Sequence, residues 1–200
     1  VEQQVAGAFL GDIGITSSIF REQECSPVQM NCDSAVHGGE PEVNDRMLGR
    51  TVLYTSLLAV PARRSFDDPD VQAGEKIFTQ LGCGDCHTPY HQTGAHQFEE
   101  LVDQHIWPYT DLLLHDMGEG LSDNRPVFSA EGREWRTPPL WGLGLVKSVN
   151  GHTRLLHDGR AQGFSEAILW HGGEAEASQL GYKALPRLQR TQLIRFLESL

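Results

Sequence analysis

The sequence predicts a mainly α-helical protein. Apolar residues recur at helical spacing in three stretches, at 44–59, 68–83 and 185–200. No stretch shows the alternation of polar and apolar residues that is typical of a strand, and no internal repeat is visible. Residues 118–164 are rich in glycine and proline and have little periodicity, and we expect one further short helix, at 165–170.

Each of the three main helices has a start signal and an apolar face. We expect Asn44 to cap the first helix and Pro61 to stop it, Asp70 to cap the second, and Pro186 to occupy the first turn of the third. The expected apolar faces are Met47, Leu48, Thr51, Val52, Tyr54 and Leu58 in the first helix, Gly74, Ile77, Phe78 and Leu81 in the second, and Leu193, Phe196, Leu197 and Leu200 in the third.

Composition excludes several classes of function. The chain has 200 residues, 39% of them hydrophobic, which is enough for one core and part of a second. No run of eighteen apolar residues exists, so we expect no membrane span. The net charge of -11 argues against nucleic acid and favours a small redox protein with a basic face as partner. Because Val1 follows no cationic, apolar leader, we expect any export signal to have been removed or to lie upstream.

The stretch "LGCGDCHTPYH" carries the candidate chemistry. A zinc site needs four ligands, but the chain has no second Cys-x-x-Cys pair, and a thioredoxin-type dithiol would follow a strand rather than a helix. Cys-x-x-Cys-His is the attachment signature of haem c. In a helical turn Cys83 and Cys86 lie side by side, so both thiols can bond one porphyrin edge while His87 ligates the iron. Zinc and an unmodified dithiol remain the alternatives.

The other two cysteines, Cys25 and Cys32, lie in a turn-rich segment. Such segments are typical of disulfide-closed loops in oxidising compartments, and we expect a disulfide here, with two free buried thiols as the alternative. Haem c is attached on the exported side of the bacterial membrane. A periplasmic or secreted location is therefore expected.

Two segments resemble class I cytochromes c. "AGEKIFTQLGCGDCH" is similar to the start of that fold, in which a glycine and an aromatic residue on the first helix cross the last helix beside the haem; Gly74 and Phe78 hold those positions. "QRTQLIRFLESL" resembles the last helix, with Phe196 and Leu197 as its aromatic-leucine pair. The resemblance implies a cytochrome c-like haem domain at 69–200 that carries a long Gly/Pro-rich insertion.

Four further motifs resemble the di-haem oxidoreductases, a family related to bacterial di-haem cytochrome c peroxidases and to the di-haem enzyme that matures tryptophan tryptophylquinone. In chain order they are "YTDLLLHDMGEGL", "REWRTPPLWGLG", "LLHDGRA" and "EAILWHGGEA". The resemblance implies an oxidoreductase of the di-haem peroxidase-like type that exchanges electrons with a redox partner. The alternative is a simple electron-transfer cytochrome c without catalytic activity.

Members of that family carry two haem attachment sites, whereas this chain has one. The resemblance therefore implies that residues 1–61 are the C-terminal part of a preceding cytochrome-like domain, with a second haem upstream of Val1, or else that the chain is a single-haem relative. Residues 62–68, within the proline- and aspartate-containing "PARRSFDDP", are expected to be a linker.

The sixth iron ligand is expected to be Met117. It is the only methionine downstream of the haem loop, and Gly118 and Gly120 after it let the chain turn close over a porphyrin face. In the peroxidase relatives the methionine precedes the stretch matching "WRTPPL", where Glu134 stands here. His115 is the first alternative and an open or water-bound site the second.

Three other side chains have candidate roles. Arg136 matches a segment beside the haem in the relatives, which implies pairing with a haem propionate; a solvated surface position is the alternative. His157 and Arg160 in "HDGR" resemble a peroxidase motif and are expected near propionates or between haems, with a structural histidine as the alternative. His171 is expected to be a cation that ends a helix.

Overall fold

The computed structural model describes residues 1–32 and 34–200 and divides the chain into two units, Val1–Ala59 and Val60–Leu200. Helices supply most of the regular structure, and each strand among the described residues has two or three residues. The mainly α prediction is confirmed. No helix in the described ranges has both the length and the apolar character needed to cross a membrane.

The first unit contains two helices, α1 (Glu2–Ile13) and α2 (Asp45–Leu57). The expected cap of α2 is confirmed, because Oδ1 of Asn44 accepts a hydrogen bond from the backbone N–H of Met47 at 3.0 Å. The sulfur atoms of Cys25 and Cys32 lie at bonding distance, with their Cα atoms 5.7 Å apart. The small core of this unit consists of Val5, Ala6 and Leu48, with Phe9, Phe20 and Val52 packed against it.

The second unit contains five helices and two short antiparallel strand pairs. The helices are α3 (Pro69–Gln80), α4 (Val146–Asn150), α5 (Phe164–Trp170), α6 (Glu176–Ala184) and α7 (Arg187–Ser199). The strands are β1 (His91–Gln92) paired with β2 (His105–Ile106), and β3 (Leu114–Asp116) paired with β4 (Glu134–Arg136). Single 3₁₀ turns lie at Cys83–Asp85, Glu99–Leu101, Glu119–Leu121, Leu143–Leu145 and Gly173–Ala175.

The start of α3 corrects one expectation. The cap is Asp68, whose Oδ1 accepts hydrogen bonds from the backbone N–H groups of Asp70, at 2.8 Å, and Val71. Pro69 has a backbone suited to the first helical position, so the cap lies one residue before it. The side chain of Asp70 instead binds α7, where it accepts a hydrogen bond from Nε2 of Gln192 at 3.0 Å.

The core of the second unit forms where α3 crosses α7. At Gly74 a Cβ atom would lie 2.7 Å from Cβ of Phe196 and still closer to the carbonyl oxygen of Gln192, so only glycine allows this approach. Phe78 packs on Phe196 with ring centroids 5.2 Å apart. The buried members of this core are Val71, Ile77, Phe78, Tyr109, Leu140, Tyr182, Leu193, Phe196, Leu197 and Leu200.

The expected linker, 62–68, contains no helix or strand, but its arginines bind the second unit. Arg63 forms a two-bond ion pair with Glu75 on α3, at 3.1 and 3.0 Å. Arg64 donates from its side chain to the carbonyl oxygen of Glu198 at 2.8 Å and from its backbone to Ser199, also at 2.8 Å. These contacts fix the segment against both helices of the crossing.

Candidate functional site

The Cys-x-x-Cys-His loop follows α3 directly. Gly82 has φ +76°, a left-handed conformation that turns the chain sharply out of the helix. Cys83 then begins a 3₁₀ turn, and the backbone N–H of His87 donates to the carbonyl oxygen of Cys83 at 2.9 Å. Cys83 and Cys86 are free, half-buried thiols. The local fold therefore places both sulfurs and the imidazole on one turn at the end of α3.

The ring of His87 is oriented by a backbone carbonyl. Its Nδ1 lies 3.0 Å from the carbonyl oxygen of Tyr109, and because a carbonyl only accepts, Nδ1 carries the proton and Nε2 keeps its lone pair. Burial lowers the pKa of His87 to about 4, so the ring is neutral at pH 7. A neutral imidazole whose other nitrogen is hydrogen-bonded is the usual form of a metal-ligating histidine.

Tyr109 is itself held rigidly. Only 1% of the residue is exposed, and its ring packs edge-on against Phe78 and Phe196. Its hydroxyl donates to Oε1 of Glu75 at 3.1 Å, and Glu75 is paired with Arg63. The contacts of the ring in the core and the bond of the hydroxyl to the Glu75–Arg63 pair therefore both hold Tyr109, and with it the carbonyl that orients His87.

Both thiols of the loop are protonated at neutral pH. Burial raises the pKa of Cys83 to about 11. Burial, followed by the negative charge of Asp111, also raises the pKa of Cys86. A dithiol that exchanges disulfides needs at least one thiolate with a lowered pKa. The electrostatics of the loop therefore disfavour a dithiol that exchanges disulfides.

A histidine between two carboxylates lies beside the loop. Nε2 of His115 binds Oδ2 of Asp111, and Nδ1 binds Oε2 of Glu174, each at 2.9 Å. The backbone N–H of Asp111 donates to the carbonyl oxygen of Cys86 at 2.9 Å, which ties the cluster to the loop. Hydrogen bonds from His115 to Glu174 first, and then to Asp111, raise the pKa of His115. Both ring nitrogens are occupied, so neither is free to ligate iron in this arrangement.

The same cluster bears on the zinc alternative. One donor atom each from Cys86, Asp111 and His115 lies within 4.8 Å of the others. Zinc binds a thiolate and a neutral imidazole. The pKa values of Cys86 and His115 are both raised, which favours a thiol and an imidazolium instead. Without a metal the cluster therefore holds a thiol and an imidazolium, and it supplies three of the four ligands of a tetrahedral zinc site.

The remaining predicted residues are spread around this region. Met117 is half-buried, and its backbone N–H donates to the carbonyl oxygen of Arg133 at 2.9 Å. Arg136 is exposed at the end of β4 and forms no ion pair with the residues that the structure describes. His157 stacks on Trp135 with ring centroids 3.8 Å apart. Arg160 binds Asp158 and the carbonyl oxygen of Gly120, and lies over the ring of Trp170.

One expectation for this region is wrong. His171 follows α5, as expected, but burial lowers the pKa of its imidazole, so it is neutral rather than a cation at the helix end. That burial cannot be read from the residues around His171. The roles of Tyr109, Glu75 and Glu174 were also missed, because each acts through a contact with a residue distant in sequence.

The sequence model of the family described as "Di-haem oxidoreductase, putative peroxidase" matches residues 1–200. The chain belongs to this di-haem oxidoreductase family. No significant match was found among curated proteins or among solved structures. The family name implies haem, and the donors of this di-haem oxidoreductase chain fit it: two free thiols three residues apart and a neutral histidine with an available Nε2.

Proposed function

We propose that this chain is a haem c-containing oxidoreductase domain of the di-haem peroxidase-like type, which transfers electrons through a haem held by Cys83, Cys86 and His87. The observation that carries the proposal is the neutral His87 ring, oriented by the Tyr109 carbonyl beside two free thiols. When bound, the haem supplies a one-electron couple between ferrous and ferric iron.

Different residues of the chain would hold the porphyrin, ligate the iron and orient the ligating ring. The sulfurs of Cys83 and Cys86 would hold the porphyrin covalently, and Nε2 of His87 would ligate the iron. The Tyr109 carbonyl keeps the proton of His87 on Nδ1 and fixes the ring plane, and such outer contacts also make a ligating imidazole more basic. The apolar ring of Phe78 lies beside the His87 ring, with the ring centroids 6.3 Å apart.

Met117 remains the sequence-based proposal for the sixth ligand. A thioether is a soft ligand that stabilises ferrous iron and raises the potential. His115, the alternative, would first have to release Asp111 or Glu174. Arg136 is exposed and lacks an ion pair with the described residues, which is compatible with either a propionate contact or solvation. His157, stacked on Trp135, would meet a propionate only through its edge.

A simple electron-transfer cytochrome c without catalytic activity is the second candidate. It is favoured by one observation, the single Cys-x-x-Cys-His motif in the chain. In either case we propose a small redox protein as the electron donor or acceptor. The net charge of -11 favours a partner that presents a basic face.

The domain organisation and the location complete the proposal. Residues 1–61 would be the C-terminal part of a preceding cytochrome-like domain, joined through 62–68 to the cytochrome c-like domain at 69–200, with a second haem upstream of Val1. The close approach of the Cys25 and Cys32 sulfurs supports a disulfide between them. A disulfide and haem c together favour a bacterial periplasmic or secreted location.

The test is to express the chain in a bacterium that exports it and attaches haem c. After denaturation in acidic acetone the colour should stay with the polypeptide, and the intact mass should rise by one haem. Without reduction the denatured protein should show no reactive thiol, because haem uses Cys83 and Cys86 and a disulfide uses Cys25 and Cys32.

The double variant Cys83→Ala, Cys86→Ala is the matched control and should bind no haem covalently. Haem that extracts freely from the unaltered chain, or zinc bound in its place, would contradict the proposal. Two reactive thiols that map to Cys25 and Cys32 would refute only the disulfide.

A further inference from the structure

The second unit contains a cavity of about 570 Å³ outside the Cys-x-x-Cys-His loop. None of Cys83, Cys86 and His87 lines it. Its wall combines residues from 60–66 with residues from 105–109, and apolar side chains predominate in it. Cavities of this size with mainly apolar walls are typical of small-molecule sites. The cavity is therefore a candidate ligand site separate from the proposed haem.

Four aromatic residues line this cavity: Phe66, Trp107, Tyr109 and Trp141. Phe66 is 65% exposed and Trp107 is 54% exposed, so large apolar side chains face water here. Exposed apolar surface that borders a cavity is a common mark of a binding site. Aromatic rings pack favourably on other rings, offset or edge-on. The composition of the wall therefore favours a ligand that contains a planar ring.

Two of the four aromatic rings are held in place by other parts of the protein. Tyr109 packs edge-on against two phenylalanines of the core. Trp107 packs against Tyr90 with ring centroids 5.6 Å apart, and the hydroxyl of Tyr90 is hydrogen-bonded to Nδ1 of His105 at 2.7 Å. A wall that is ordered before the ligand arrives loses less conformational entropy on binding, which favours affinity.

The guanidinium in the wall already has a counter-charge. Arg63 lines the cavity, and both of its terminal nitrogens bind Glu75, at 3.1 and 3.0 Å. An anionic ligand would have to displace Glu75 from a two-bond pair, and a cationic ligand would lie beside the guanidinium. The electrostatics of the wall therefore favour an uncharged ligand.

Two indole N–H groups of the wall lack a hydrogen-bond partner among the described residues, those of Trp107 and Trp141. In the same part of the chain, the sealed side-chain atoms without a partner belong to Arg63 and Arg64, so the indole nitrogen of Trp141 is reachable from solvent. Trp107 is itself more than half exposed. An indole N–H donates and cannot accept. A ligand with an acceptor oxygen would give these groups a partner.

We propose that this cavity binds a small, uncharged, planar aromatic compound that carries an oxygen, of the naphthol type. Its ring packs against Phe66 and Trp107, and its oxygen accepts a hydrogen bond from an indole N–H. The proposal goes beyond the proposed function and does not rest on it, because the haem-attaching residues lie outside the wall. Tyr109 belongs to both sites, since it lines the cavity and its carbonyl binds His87.

The test is calorimetric titration of the purified chain with α-naphthol. The phenol should bind at one site per chain, whereas the anion α-naphthoate and the non-planar decahydro-α-naphthol should bind about tenfold more weakly or less. Phe66→Ala should weaken the binding of α-naphthol about tenfold, and its exposure makes loss of folding unexpected. The matched control is Phe128→Ala, at a phenylalanine that is 91% exposed and outside the wall, and it should bind α-naphthol as the unaltered chain does.

Absence of binding up to the solubility limit of α-naphthol overturns the proposal. Equal affinities for α-naphthol and either comparison compound, or equal effects of Phe66→Ala and Phe128→Ala, also overturn it. Sedimentation velocity adds a further outcome: a dimer that Phe66→Ala dissociates would assign this face to a second copy of the chain instead. Intact mass counts the attached haem separately, so a chain without haem overturns the proposed function and leaves this proposal standing.

Discussion

At the scale of single residues, Tyr109 links the Cys-x-x-Cys-His loop to the core through two different groups. Its backbone carbonyl binds His87, whereas its hydroxyl binds Glu75 at 3.1 Å. The two functions are separable, because substitution of the ring alters the hydroxyl and leaves the carbonyl in place. Glu75 would keep its ion pair with Arg63.

We expect Tyr109→Phe to lower the free energy of unfolding by about 1.5 kcal/mol, the lower end of the usual effect of losing one hydrogen bond to a charged acceptor, because Glu75 keeps another partner. The haem spectrum should not change, since the carbonyl still orients His87. Denaturant unfolding monitored by circular dichroism gives the energy. Tyr54→Phe, at a residue that is 67% exposed, is the control and should have no effect. A shifted haem spectrum in Tyr109→Phe would show that the hydroxyl positions the ligand.

The sequence allows the loop residues to be proposed, but it does not reveal the residues that support them. Cys83, Cys86 and His87 are recognisable because covalent attachment demands a fixed local spacing. Tyr109 lies 22 residues after His87 and acts on it through its backbone carbonyl. Every residue type has such a carbonyl, so the sequence does not identify the residue that supplies it. His171 was misread because its protonation state depends on burial, which only the folded chain determines.

At the scale of elements, the crossing of α3 and α7 depends on Gly74, because glycine has no side chain. Gly74 brings the two helices into backbone contact, and the aromatic rings of Phe78 and Phe196 pack beside that point. Since α3 leads directly into the Cys-x-x-Cys-His loop, the crossing also sets where the loop begins.

Gly74→Ala should destabilise the second unit by about 3 kcal/mol, because the added methyl group overlaps the Gln192 carbonyl and forces the helices apart. The matched control is Gly49→Ala in α2, where no atom lies within 4 Å of the added group. There we expect a small gain of about 0.5–1 kcal/mol, because alanine has the higher helix propensity. Thermal and denaturant unfolding measure both. Equal effects of the two substitutions would argue against a close crossing.

Three long helices and the short helix α5 were predicted, whereas the long helix α1 and the other short elements were not. Helices α2, α3 and α7 have twelve or thirteen residues each, enough to show a period. Strands of two or three residues, such as β3 and β4, cannot display alternation. Helix α6 was missed because its packing is tertiary: Gly181 lies directly over the Leu81 side chain. Asp70 was misassigned as a cap because its partners lie on α7.

At the scale of the whole molecule, electron counting separates the two candidate functions. Reduction of peroxide to two waters consumes two electrons and two protons, whereas one haem iron that passes from ferrous to ferric supplies one electron. The single attachment motif in this chain therefore suffices for electron transfer, and peroxide turnover requires a second electron source.

We expect the reduced full-length protein, supplied with excess electron donor, to consume peroxide over many turnovers, as a peroxidase-like oxidoreductase should. The measurement is peroxide loss against donor oxidation, with two donor electrons used per peroxide. The Cys83→Ala, Cys86→Ala variant should lose this activity. Oxidation of the haem without continued peroxide loss would favour the simple electron-transfer cytochrome.

The α3–α7 crossing also bears on when the proposed haem attachment would occur. Asp70 and Gln192 make contact across 122 residues of chain, so closing that loop costs considerable entropy before any contact compensates for it. Contacts of such long range slow folding. Cys83 packs against this core, so its thiol is more reachable before the core assembles. Slow assembly of the crossing would then lengthen the interval in which the proposed haem attachment can take place.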